Sequence, residues 1–302
     1  FPTGVFDAKP FSKVYTRKWD LRGTPSICVN CGLGCNTTPN EHYGKARRIL
    51  NRYNGEVNGY FLCDRGRFGF DFVNSPLRLR QPLLRTHSDR EPEPATKAEI
   101  LRHLTELLSS QRAIGIGSPR ASLEANFALR ELVGAERFHL GLSVGEQALL
   151  ALIIDILQHG PARAASLKGA EQADAVLILG EDVPDTAPRL ALSLRQAVRQ
   201  KSLETADRMK IPRWQDAAVR NAAQQERSPF FIATPDATRL DDVATCTFRR
   251  APADLARLGF AVAHEIDAAS AAVPNLPDDI AVLGADAGQL AHAGDCLTDL
   301  VV

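Results

Sequence analysis

The chain has 302 residues, 44% of them apolar and 24% charged, an ordinary globular composition that excludes wholesale disorder. Lysine plus arginine (36) balances aspartate plus glutamate (36), which argues against a dedicated nucleic-acid binder. No uncharged apolar run reaches the roughly 18–20 residues of a membrane span, and the first twenty residues lack the apolar core of a secretory signal. The balance hides an asymmetry: residues 1–90 carry 15 basic against 7 acidic side chains, and residues 91–302 carry 21 against 29. The length suggests about two domains, and a start at Phe1 with Met209 as the single methionine reads as a processed or excised piece.

Residues 1–16, with Pro2 and Pro10, read as an extended arm. Residues 17–75 are rich in Gly, Asn, Cys and aromatics and short of helical periodicity; Tyr43-Gly44 predicts a hairpin turn between 36–42 and 45–51. Four prolines at 76, 82, 92 and 94 mark a boundary, so the expected division is a domain at 1–75, a linker at 76–94 and a second domain at 95–302. Beyond it helix and strand alternate. Thr96-Lys-Ala-Glu99 predicts a capping box ahead of Ile100, Leu101, Leu104, Leu107 and Leu108. Strands are expected at 113–117, 138–142, 173–180 and 230–233. Helices are expected at 122–133 (stopped by Gly134), 146–157, 189–201 and 214–225. The fold class is therefore α/β: a small irregular or β domain, then helices packed on a mainly parallel sheet.

Six cysteines are too sparse for a disulfide scaffold, and four crowd into Cys28-Val-Asn-Cys31-Gly-Leu-Gly-Cys35 and, 27 residues on, Cys63. Three thiolates on one tight glycine-containing loop plus a remote fourth suit a 4Fe–4S cubane, which needs one thiolate per iron. Structural zinc, which usually pairs two C-x₂₋₄-C knuckles, is the alternative reading, and four unrelated buried cysteines the third. Lys45, Arg47, Arg48, Arg52, Arg65 and Arg67 flank these cysteines, either as cations that stabilise a reduced cluster or as a solvated basic face. Cys246 and Cys296 read as free thiols, the seven histidines have no metal spacing, and the acidic pairs Glu181-Asp182 and Asp241-Asp242 read as solvated.

Several stretches together carry a resemblance: Trp19-Asp-Leu, Thr24-Pro-Ser-Ile-Cys28, Cys35-Asn36, the run from Asn58 to Gly69, Ile116 to Ser122, Asn126 to Leu132, Gly180-Glu-Asp182, Thr238 to Asp242 and Ala256 to Phe260. Over roughly residues 1–270 the chain resembles the molybdopterin-oxidoreductase-like region of the large peripheral-arm subunit family of bacterial respiratory complex I (NADH:quinone oxidoreductase). The resemblance implies that Cys28, Cys31, Cys35 and Cys63 ligate one 4Fe–4S cluster off the main electron path, on a molybdenum-enzyme fold that binds no molybdopterin. It implies a role in one-electron storage and in bracing the arm. The partners would be the other peripheral-arm subunits, with no nucleic acid and no direct membrane insertion, on the cytoplasmic side of the bacterial inner membrane. The chain would be a truncated part of an enzyme subunit, without an active site of its own.

The rival reading is the N-terminal part of a catalytic molybdopterin oxidoreductase, similar to formate dehydrogenase. Such enzymes place Lys two residues after the fourth cysteine, where this chain has Arg65, and supply a metal ligand after the first βαβ unit. Only Ser143 or Glu146 could serve there, and Ser143 reads as a helix N-cap. The acids after the strand ending at Gly180 would repel a pyrophosphate. Gly115-x-Gly117 is followed by Arg120 where a dinucleotide motif needs its third glycine, and reads as an ordinary strand–turn–helix.

Overall fold

The structure is a computed structural model that describes residues 8–85, 89–119, 121–160 and 164–293. Contacts divide the chain into two compact units, one made of residues up to 70 together with those from 165 onward, the other of residues 71–164. This grouping differs from the division suggested by composition, because the cysteine-rich segment packs on the later α/β segment.

The first unit begins with one helical turn, α1 (Lys9–Ser12), where an extended arm was expected; Pro10 favours the turn and Phe11 is buried. Strands β1 (Arg22–Gly23) and β2 (Ser26–Ile27) each pair antiparallel with β3 (Asn36–His42), which pairs in turn with β4 (Lys45–Asn51). Tyr43 (φ +53°) and Gly44 (φ +71°) are both left-handed, the backbone that a tight hairpin with right-handed twist requires. The Gly44 N–H donates to Glu41 Oε2 at 2.8 Å and pins the turn. A five-residue helix, α2 (Asp64–Phe68), follows Cys63.

The second unit holds α3 (Asp71–Asn74), the short antiparallel pair β5 (Leu83–Leu84) and β6 (Glu93–Pro94), and α4 (Lys97–Ser110). Thr96 and Glu99 form the expected capping box on α4. Then come β7 (Gly115–Ile116), α5 (Leu123–Val133), β8 (Phe138–His139) and α6 (Val144–His159). β7 and β8 pair in parallel but are shorter than expected, two residues each. Ser122 caps α5, and Gly134 (φ +86°) ends it. Ser143 caps α6 in a reciprocal box with Glu146, so both candidate metal ligands of a molybdenum enzyme are engaged in starting a helix.

The first unit resumes with α7 (Leu167–Glu171), β9 (Val176–Leu179), α8 (Val183–Thr186), α9 (Pro188–Ala197), α10 (Gln200–Arg208) and α11 (Asp216–Ala223). β10 (Phe230–Thr234), β11 (Cys246–Arg249), α12 (Pro252–Ile266) and α13 (Asp278–Ala293) complete it. β9, β10 and β11 form a parallel sheet with β10 central. All five residues of β10 are buried, as expected of a strand covered on both faces. Alternation sorts the side chains: Val176, Ile178, Phe230 and Ile232 pack with Ala191 and Leu194 of α9, while Leu177, Phe231 and Ala233 pack with Leu258 and Val262 of α12 and Ile280 of α13. The helical region expected at 189–201 is two helices. The last strand, only four residues long, and the last two helices, whose sequences are rich in alanine, were not expected.

Gly259 brings α12 against β9. A Cβ there would lie 2.7 Å from Leu179 Cδ2. Gly259→Ala is expected to lower stability by about 1–3 kcal/mol through overpacking, measured as a shift in the denaturation midpoint.

Candidate metal centre

The cysteine loop is closed by its own backbone: the Cys28 N–H donates to the Cys35 carbonyl at 2.8 Å, and Gly34 (φ +62°) supplies the reversal between them. Cys35 is buried, and Cys28, Cys31 and Cys63 are half-buried. Cys63 is the N-cap of α2, its Sγ accepting the Gly66 N–H at 3.4 Å. A Cβ on Gly66 would meet Leu62 Cδ1 at 2.8 Å and stand 3.4 Å from Cys28 Sγ, so the turn after Cys63 presses on the first cysteine. Asn30 links the same two segments, its Nδ2 donating to the Arg65 carbonyl at 3.0 Å and contacting Cys28 Sγ at 3.6 Å.

The other three cysteines all lie close enough to act on Cys35. Burial, and then the negative charge that Cys31, Cys28 and Cys63 would carry, push the Cys35 thiol up to about 11, and Arg189 opposes the rise. Cys35 therefore stays protonated near neutral pH on its own, whereas a bound metal would hold it as the thiolate. Among the described residues no three Cys, His, Asp or Glu side chains converge as ligands of a single ion. Around one zinc, sulfurs at ~2.3 Å from the metal must stand within about 4 Å of each other. A cubane, with one thiolate per iron, accepts a wider spread, and an all-thiolate donor set with N–H groups aimed at sulfur suits it.

The flanking basic residues bind mostly elsewhere. Arg52 donates to the carbonyls of Thr37 (3.4 Å) and Ser26 (3.3 Å), Arg48 to Asn40 Oδ1 (2.8 Å), and Arg65 to the Asp185 carbonyl (2.6 Å). Arg47 and Arg67 line a small cleft with Phe11 and Phe68. The cation whose charge acts on Cys35 is Arg189, on α9, which sequence reasoning missed because no local spacing connects it to the cysteines.

Beside Cys63 lies a cavity of about 510 Å³, near the carboxyl ends of β9 and β10, lined by Asp64, Arg65, Pro188, Arg195 and Arg239 among others. In parallel α/β sheets such an end is the usual ligand position. Its guanidinium groups are committed, however: Arg195 makes a two-pronged ion pair with Asp242 (2.7 Å each), Arg239 pairs with Asp185 (2.6 Å), and Arg65 holds the Asp185 carbonyl. Asp241 likewise pairs with Arg249 (2.6 Å), so the 241–242 acids are ion-paired rather than merely solvated. These pairs hold Asp242 below the usual carboxylate range, through the Arg195 hydrogen bonds. Only Arg65, exposed and held by a neutral carbonyl, keeps a charge not paired with a carboxylate, so the lining fits a pterin pyrophosphate poorly. Glu181 is exposed, and Asp182 Oδ1 is buried without a hydrogen-bond partner. Cys246 is a free, half-buried thiol on β11; Cys296 lies outside the described residues.

A four-thiol loop-and-helix centre joined to a parallel α/β segment defines a class, and residues 21–75 match the molybdopterin oxidoreductase Fe4S4 domain. The chain is 50% identical over 282 residues to the G subunit of the NADH-quinone oxidoreductase of Pseudomonas fluorescens, a match covering 93% of this chain. It is 50% identical to the corresponding protein of Salmonella typhimurium and 49% identical to that of Escherichia coli, each over 284 residues and 92% of the chain. Over more than nine-tenths of its length the chain is thus similar to G subunits of NADH-quinone oxidoreductases, and it spans about a third (31%) of the length of these relatives.

Proposed function

We propose that the 1–75 segment is a cluster-binding domain holding one 4Fe–4S cluster on Cys28, Cys31, Cys35 and Cys63, within the G subunit of an NADH:quinone oxidoreductase. The observation that carries this is the geometry that gathers the cysteines: a loop closed from Cys28 N–H to the Cys35 carbonyl, with the turn after Cys63, the N-cap of α2, pressed against Cys28 Sγ. When bound, the cluster supplies reversible one-electron oxidation and reduction. The chain's own groups orient and insulate it: Gly66 N–H and the Asn30 amide donate to the sulfurs, and Cys35 sits out of water. The relatives' activity is a property of their assembly. The partners proposed here are the other subunits of its peripheral arm, on the cytoplasmic side of the bacterial inner membrane, with the chain as electron store and brace. Among the described residues no helix is long and apolar enough to cross a membrane.

A catalytic molybdopterin enzyme is the less favoured reading, because Arg65, Ser143 and Glu146 are all engaged in structural bonds. The test is the metal content of the full-length subunit, purified without oxygen. About four irons more than in a variant with all four cysteines replaced by serine, and no molybdenum, are expected. Stoichiometric molybdenum would make the protein a catalyst, and one zinc without those irons would make the centre a structural brace; either overturns the proposal.

A further inference from the structure

Arg189 enters the first turn of α9 and is only 8% exposed. A guanidinium keeps its charge at any pH a folded protein meets, so its burial is costly unless an anion compensates. Its contacts are neutral: Nε donates to the Asn58 carbonyl (3.3 Å), Nη1 to Ser193 Oγ (3.2 Å), and the group lies 5.3 Å from the centre of the Phe61 ring. Among the described residues no carboxylate forms an ion pair with it, although Arg195, Arg199, Arg239 and Arg249, also in this segment, each have one. The same Asn58 accepts the Asn36 N–H on its Oδ1 (2.9 Å), and Asn36 follows Cys35. Asn58 thus bridges Arg189, through its backbone carbonyl, and the residue after Cys35, through its side chain, and the Arg189 charge acts on Cys35.

We propose that Arg189 is the buried counter-ion of the iron–sulfur cluster, a positioning residue that couples cluster loading to the packing of α9 on residues 1–70; this rests on the cluster reading above. Four thiolates on an oxidised cubane leave a net charge of about −2, and the reduced form carries one more. A fixed positive charge stabilises the reduced form more, so Arg189 raises the potential. Without the cluster the same charge has no partner and opposes the packing around it.

The test uses the full-length subunit as wild type, Arg189→Gln and Arg189→Lys, each also in the background with the four cysteines replaced by serine. Gln keeps a donor for Asn58 and removes the charge; Lys keeps the charge. In an EPR-monitored redox titration, Arg189→Gln is expected to lower the reduced-to-oxidised ratio at the wild-type midpoint potential by about tenfold or more, with Lys close to wild type. In the cysteine-free background, Arg189→Gln is expected to raise the denaturation midpoint. Loading of cluster by Lys but not Gln also supports a role for charge. An unchanged midpoint in Arg189→Gln, or loss of cluster in Lys and Gln alike, overturns it. A wild-type subunit without the four additional irons overturns the cluster reading instead.

Discussion

Cys63→Ser is expected to abolish the four-iron EPR signal while leaving the parallel sheet folded. Cys63 is the N-cap of α2 and, in the proposed reading, also a cluster ligand. Serine is a good N-cap, so its hydroxyl replaces sulfur as acceptor for the Gly66 N–H and α2 keeps its start. Only the thiolate is lost. The two cores about β9, β10 and β11 contain no residue from the first seventy, and the bonds of Arg65 to Asp185 and of Arg189 to Asn58 do not involve the Cys63 side chain, so the substitution removes no contact of the sheet. Iron should fall by at least one and up to about four per chain, with loss of the visible absorption. Unchanged iron and an unchanged EPR signal would remove Cys63 from the ligand set, and a collapsed sheet would show that the two segments fold as one.

Local chemistry was legible in the residues. Tyr43-Gly44 announced the hairpin because two left-handed positions are needed between paired strands, and Thr96, Ser122 and Ser143 announced helix starts because capping acts within one turn. The four cysteines stood out by spacing. What could not be read is what the tertiary fold assigns. Arg48, Arg52 and Arg65, close to the cysteines in sequence, are spent on carbonyls and on Asn40, while the cation acting on Cys35 comes from 154 positions along the chain. Asp241 and Asp242 looked like idle surface acids because their arginines, Arg249 and Arg195, are brought in by β11 and α9. Charge pairing at long range follows from packing, and no periodicity encodes it.

Asn58→Leu is expected to cost about 3–5 kcal/mol and to sharply reduce iron loading, although it changes no thiol. Asn58 is fully buried. Its Oδ1 accepts the Asn36 N–H, and its amide lies within hydrogen-bonding reach of Asn51 Oδ1 and of the carbonyls of Arg52 and Phe61. An amide has two hydrogens, so these acceptors share it. Through this one side chain the start of β3 after Cys35, the end of β4 and the approach to Cys63 are held in register. Leucine has nearly the same shape and no polar atom, so it fills the space and strands the partners. Each buried group left unsatisfied costs roughly 1–3 kcal/mol, and at least two are stranded. The backbone carbonyl that accepts Arg189 survives in the variant, which separates this effect from the counter-ion role. Asn58→Asp keeps the acceptor for Asn36 but buries a carboxylate against the oxygens that the amide served, so its cost should equal or exceed that of leucine. Denaturation and iron analysis on the same preparations decide the matter: wild-type stability and loading in Asn58→Leu would mean that the cysteine loop organises itself without the asparagine.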